Sequence, residues 1–155
     1  MTTGRTSASF RRTDDASSQG RASVRVMPSI RAPLTITARP AEEAEASALP
    51  AVGRTTFDKV FAGGALVGTS VVHFVSTASQ TGPLAYVALE RVEGVLDGRV
   101  GGFVLQHVGA IVDGVPSLAL SVVVGSGTGE LTGLTGRGSI EHTEAGAHLD
   151  LGYDL

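Results

Sequence analysis

YVALERVEGVLDGRVGGFVLQHVG, residues 86–109, is the stretch whose reading decides the fold. Asp97-Gly98 sits at its centre, a pair that tolerates positive φ at both central positions of a tight hairpin turn. Apolar and polar residues alternate on both sides of it, as in two half-buried strands. If the turn has two residues, Leu96 lies opposite Arg99, and counting back pairs Val92 with Phe103, Glu90 with Leu105 and Ala88 with His107. One face then carries Tyr86, Glu90, Val92, Phe103, Leu105 and His107. The other carries Val87, Leu89, Arg91, Glu93, Val104 and Gln106. The first is the better interior, and on it Glu90 is diagonal to His107, within reach across a sheet face. A three-residue turn with a glycine bulge would shift the pairing by one and separate these two side chains.

The same signals extend outward from this hairpin. Leu34–Ala38, Arg54–Phe61, Val67–Ser76, Leu84–Glu93, Phe103–Val112, Leu118–Val124, Ser139–Thr143 and His148–Tyr153 all read as strands, with Asp113-Gly114 as a second two-residue turn. Ala41–Ala48 (AEEAEASA) favours helix, but Pro40 and Pro50 bracket it and restrict it to a short helical turn or a loop. Eight strands at hairpin spacing predict an all-β protein, an eight-stranded antiparallel up-and-down barrel of lipocalin-like proportions. A barrel of that size either fills with side chains or holds one small ligand.

Composition supports one such domain. The chain has 155 residues, enough for a single core. Its 21 glycines lie between apolar runs, as turns require, and aromatics make up only 5%, so Val, Leu and Ala must build most of the core. With no cysteine, thiol catalysis, disulfides and thiolate metal sites are excluded. The net charge of −3 divides unevenly: residues 1–31 carry +4 and residues 32–155 carry −7. The basic segment, rich in Arg and Ser and without apolar periodicity, reads as a disordered tail (1–31) preceding the barrel domain (32–155). An acidic body argues against nucleic acid as a partner. The chain shows neither a secretory signal nor an apolar run of membrane-spanning length, so the expectation is a cytoplasmic protein with no membrane partner.

No complete catalytic motif is present. Gly125-Ser-Gly-Thr-Gly129 is followed by neither a phosphate-loop lysine nor a βαβ unit, and there is no G-x-S-x-G elbow. His142 and His148, near Glu141, Glu144 and Asp150, are spread across a turn and do not form a compact ligand set, so no metal and no cofactor is expected. What remains is the interior face. A carboxylate in an apolar pocket has its pKa raised and can serve as acid or base, which nominates Glu90, with His107 as its partner or hydrogen-bond donor, as the catalytic candidates. The competing reading has Glu90 and His107 simply satisfying each other, or Glu90 paired with an arginine. Val92, Phe103 and Leu105, together with His73 and Phe74 from the VVHFV strand, are the expected ligand contacts.

The quoted run, followed by GSGTGELTGLTGRG (residues 125–138), resembles a bacterial domain-of-unknown-function family grouped with barrels of the allene oxide cyclase type. The close similarity spans roughly residues 84–154, with a looser one from about residue 34. Similar glycine-rich segments shape the end of the barrel in plant allene oxide cyclases and dirigent proteins. The resemblance implies an internal apolar cavity that binds a small hydrophobic molecule. It also implies cyclisation or isomerisation without a cofactor, because holding a near-attack geometry supplies much of the acceleration. Glu90 and Tyr86 would then stabilise developing charge. The alternatives are a non-catalytic carrier or sensor and a filled structural barrel. Dimers and trimers both occur among related barrels, and outward apolar residues such as Val87 and Leu89 make a homo-oligomer the expectation.

Overall fold

The computed structural model describes residues 27–40, 52–79 and 82–155. Eight strands follow one another in chain order: β1 (Ser29–Ala38), β2 (Val52–Gly63), β3 (Leu66–Ser79), β4 (Gly82–Leu96), β5 (Arg99–Val112), β6 (Val115–Val122), β7 (Thr135–Thr143) and β8 (Gly146–Asp154). Each pairs antiparallel with the next, and β8 pairs with β1, closing the barrel. The β4–β5 hairpin has the two-residue turn: Asp97 and Gly98 take φ of 46° and 79°, and Leu96 lies opposite Arg99. Val92–Phe103, Glu90–Leu105 and Ala88–His107 are therefore in register. Asp113 and Gly114 form a second turn of the same kind. Most of the expected tail, the segment 41–48 and residue 84 at the start of one expected strand are outside the part that can be described in full.

β1 starts earlier than alternation from Leu34 suggested. Ile30, Ala32 and Leu34 all point inward and are buried, so residues 29–31 belong to the barrel and the boundary at 31/32 is corrected. Pro33 concealed the pattern, because proline ordinarily argues against a strand. It is tolerated here because β2 pairs with β1 only from Leu34 onward, leaving one side of β1 without a partner at Pro33.

The barrel's two ends differ. At the lower end are the β2–β3 and β4–β5 turns, the start of β1 and the end of β8. Inward residues here pack a continuous core that includes Phe61, Leu66, Val92, Leu96, Phe103, Leu105, Leu149, Leu151 and Tyr153. The Asp97 amide donates to the Ala65 carbonyl (2.7 Å), and the Tyr153 hydroxyl donates to the Asp97 carboxylate, tying the two turns to the last strand.

The link from β6 to β7 plugs this end, burying Leu131 and Leu134. Gly68, Gly94 and Gly101 are aligned across β3, β4 and β5. A Cβ at Gly94 would overlap the Val67 carbonyl, and one at Gly101 would overlap the Thr128 carbonyl of the plug. Side chains are absent there because backbone occupies the space.

The plug also solves a hydrogen-bonding problem. β6 pairs with β5 only as far as Leu105, so the first residues of β5 have no partner strand on that side. Ser126 Oγ accepts from Val104 N (3.0 Å), Thr128 Oγ1 from Gly102 N (3.0 Å) and a Glu130 carboxylate oxygen from Val100 N (2.7 Å). Alternate side chains thus serve alternate backbone donors, as a strand would, and the S-x-T-x-E spacing of the glycine-rich motif follows from that geometry.

Candidate functional site: a polar floor beneath a hollow half-barrel

Above the packed core the interior changes character. Inward positions at the centre carry Lys59 on β2, Ser70 on β3, Glu90 on β4 and His107 on β5. All four are at least nine-tenths buried, and Glu90 is wholly so. Register brings them together. Lys59 is directly opposite Ser70, Glu90 is one diagonal step from Ser70, and His107 is one diagonal step from Glu90 on the other side. Glu90 is the hub. One carboxylate oxygen accepts from Ser70 Oγ (2.5 Å), and the other receives both Lys59 Nζ (2.7 Å) and His107 Nε2 (2.9 Å). An ionised carboxylate has no proton to give, so Nε2 is the donor in the last of these.

These partners decide the charge state. Burial pushes the Glu90 carboxyl upward, but the hydrogen bond from His107, the Lys59 ammonium and the hydroxyl of Ser70 outweigh it and bring the pKa down to about 2. The expectation that Glu90 would be a raised-pKa acid or base is therefore corrected: it is a permanent anion at neutral pH. A lone carboxylate in an apolar barrel would behave as expected; the interior Lys59 reverses the outcome. Its signal was available, since Phe57, Lys59 and Phe61 alternate onto one face and Lys59 is the chain's only lysine.

Over this floor lies a cavity of about 370 Å³ whose lining includes Phe57, Phe74, Tyr86, Ala88, Leu118 and Ile140 above, with Lys59 and His107 below. Glu90 is not part of the lining; it holds from beneath the two side chains that are. Phe57 and Phe74 meet edge to face with centroids 5.6 Å apart, and Phe74 stacks on Tyr86 at 4.7 Å, forming an aromatic wall. The ring of Tyr86 occupies the space a Cβ at Gly109 would need, directly across the β4–β5 ladder, and burial pushes its phenol pKa up. The hollow reflects the small inward residue Ala88 and a splayed seam. β6 and β7 pair only at Leu120–Gly138 and Ser121–Arg137, so Val115–Ala119 and Ser139–Thr143 diverge toward the upper end. A second depression of about 400 Å³ lies at that seam and shares Tyr86, Leu118 and Ile140 with the first.

Apart from Glu90 beneath the floor, the expected site residues separate into three groups. Tyr86, His107 and Phe74 line the cavity. Val92, Phe103 and Leu105 share the inward face but belong to the packed core, with Leu105 opposite Glu90 and the Val92–Phe103 pair one step below, and none of them lines the cavity. His73 is corrected: it is exposed on the outer surface, because Val72 and Phe74 on either side of it point inward and a strand alternates. His142 reaches the cavity lining, whereas His148 is on the opposite face of the sheet with a buried Nδ1 that has no partner among the described residues. Among the described residues no group of three or more His, Asp or Glu side chains is arranged to hold a metal ion, and no helix is long and apolar enough to cross a membrane.

Fold and site together define a closed, eight-stranded up-and-down barrel, packed at one end and hollow with a charged floor at the other. Residues 30–154 match the family described as "Protein of unknown function (DUF3224)", and the chain belongs to that family. A similar solved structure is that of a protein with unknown function from the same family of Shewanella oneidensis MR-1. It is 33% identical, with a TM-score of 0.68, and the match covers 83% of this chain and 97% of that one. None of the curated proteins matches the chain.

Proposed function

We propose that the hollow half of the barrel binds a small, largely hydrophobic molecule, held between the aromatic wall and the Lys59–His107 floor. The observation that carries this reading is the coexistence of an apolar cavity with a buried ion pair at its base. Folding alone gives little reason for the pair, since exchanging a buried salt bridge for well-packed apolar residues is often neutral or stabilising by roughly 1–4 kcal/mol. A buried, cavity-facing charged cluster instead has the character of a binding or reactive site. A purely structural barrel would fill its interior, and this cavity is within the usual size range of small-molecule sites.

Catalysis is a second reading, favoured by one feature: Glu90 fixes the orientation of the His107 ring beside the cavity, as a carboxylate does for a catalytic imidazole. In that reading the barrel is a cofactor-free cyclase or isomerase of the allene oxide cyclase type. Tyr86 and His107 meet the substrate, and Glu90 positions His107 and balances charge. Native mass spectrometry of the protein as purified, followed by extraction and identification of any small molecule it carries, tests the binding proposal. A bound hydrophobic compound displaced by a bulky residue at the cavity supports it. Failure of every apolar probe to occupy the barrel overturns it.

A further inference from the structure

Charged and polar groups at the base of the cavity do not contribute equally to its surface. Glu90, the anion, is fully buried beneath the floor and is not part of the cavity lining, and three side chains converge on its two oxygens. The ammonium of Lys59 carries three donors, and among the described residues only one of them has a protein partner, the Glu90 carboxylate. Lys59 lines the cavity, is 5% exposed, and has the apolar residues Phe57 and Val72 beside it in the lining. Two donors of this cavity-lining ammonium are therefore without a protein acceptor among the described residues. An apolar ligand that offers nothing to the ammonium leaves those donors desolvated and unmet, which is costly for a charged group.

Building on the proposal that the cavity holds a small apolar molecule, we infer that this molecule carries a carbonyl or carboxylate oxygen at one end, and that Lys59 at the barrel floor receives it. The body of the ligand lies along Phe74 and Tyr86, with its oxygen pointing down. A cationic head is rejected by the same ammonium. Lys59 is a binding residue in this scheme, and Glu90 is a positioning residue that keeps the ammonium in place.

Three probes of one skeleton test this: acetylnaphthalene, naphthoate and ethylnaphthalene, titrated into the full chain by fluorescence. The first two should bind roughly ten- to hundredfold more tightly than the third, the range expected for a hydrogen bond to a charged group. A carboxylate preference identifies the natural head as an acid, and a ketone preference identifies it as a neutral carbonyl. With lysine labelled in ¹³C at Cε, the chain's one lysine gives one signal, and only the oxygen-bearing probes should shift it. Lys59→Met should bring all three affinities to within a few-fold. Should that variant fold poorly, Lys59→Met combined with Glu90→Gln removes both charges and answers the same question. Equal affinities in the wild type, or discrimination that survives loss of Lys59, overturns the inference while leaving the cavity a ligand site. If ethylnaphthalene and both oxygen-bearing probes fail to bind, the proposed function fails and this inference fails with it.

Discussion

Glu90 shows how far one side chain's behaviour depends on its neighbours. Alone in an apolar barrel it would be a protonatable carboxyl, but beside Lys59, Ser70 and His107 its pKa falls from 4.5 to about 2. A folded-state pKa below the unfolded value contributes stability that is complete above about pH 4.5 and is lost as pH falls toward 2. For a shift of this size the loss is on the order of 3 kcal/mol. Acid titration of unfolding free energy should show this limb in the wild type. Lys59→Met alone should cost about 3–5 kcal/mol at neutral pH, because it leaves a buried anion unpaired. Adding Glu90→Gln should recover most of that loss and flatten the stretch between pH 4.5 and 2. Urea unfolding across that range checks both, and a double variant that retains the acid limb would assign it to other carboxylates.

Among the elements, the plug and the seam are the two places where strand pairing stops. At the plug, Ser126, Thr128 and Glu130 stand in for a missing strand along β5. Thr128→Val keeps the shape but removes the oxygen that serves Gly102, so it should lower stability by roughly 1–3 kcal/mol, the cost of an unmet buried backbone donor. Thermal or urea unfolding measures it, and a neutral outcome would mean that water replaces the hydroxyl. The seam has no such substitute among the described contacts. Backbone amides pointing from Val115–Ala119 and Ser139–Thr143 into the gap should exchange with solvent at least about tenfold faster than those of β4, which is paired on both sides. Equal protection would indicate that the gap closes in solution.

At the level of the whole molecule, the division into a packed half and a hollow half is what gives the barrel an interior surface to use. Among the described residues sixteen buried side chains form the core, and the cavity-lining Phe57, Phe74 and Tyr86 are not among them. Filling the hollow should therefore separate binding from folding. Ala88 is in the cavity wall beside His107, and Ala88→Phe introduces a ring into the space a ligand would take. The expected outcome is loss of apolar-probe binding with the unfolding midpoint little changed. Unaltered probe affinity would locate binding elsewhere, with the seam depression the next surface to test.

The architecture was legible in the chain because its signals are local. Asp97-Gly98 and Asp113-Gly114 favour positive φ, and a two-residue turn sets the register of everything behind it. Once Leu96 is opposite Arg99, the inward positions of Glu90, His107 and Tyr86 follow from alternation alone. The same rule, applied through VVHFV, would have sent His73 outward beside an inward Phe74. Two matters were settled only in three dimensions. The convergence of Lys59 and Ser70 on Glu90 joins strands far apart in sequence, and it reverses the direction of the carboxyl's pKa shift. The boundary between packed core and cavity depends on how much volume the Leu131–Leu134 plug brings to one end and how far β6 and β7 separate at the other. Short-range preferences carry the turns, strands and faces; the electrostatics and free volume of the interior are sums over all eight strands, and only the closed barrel performs them.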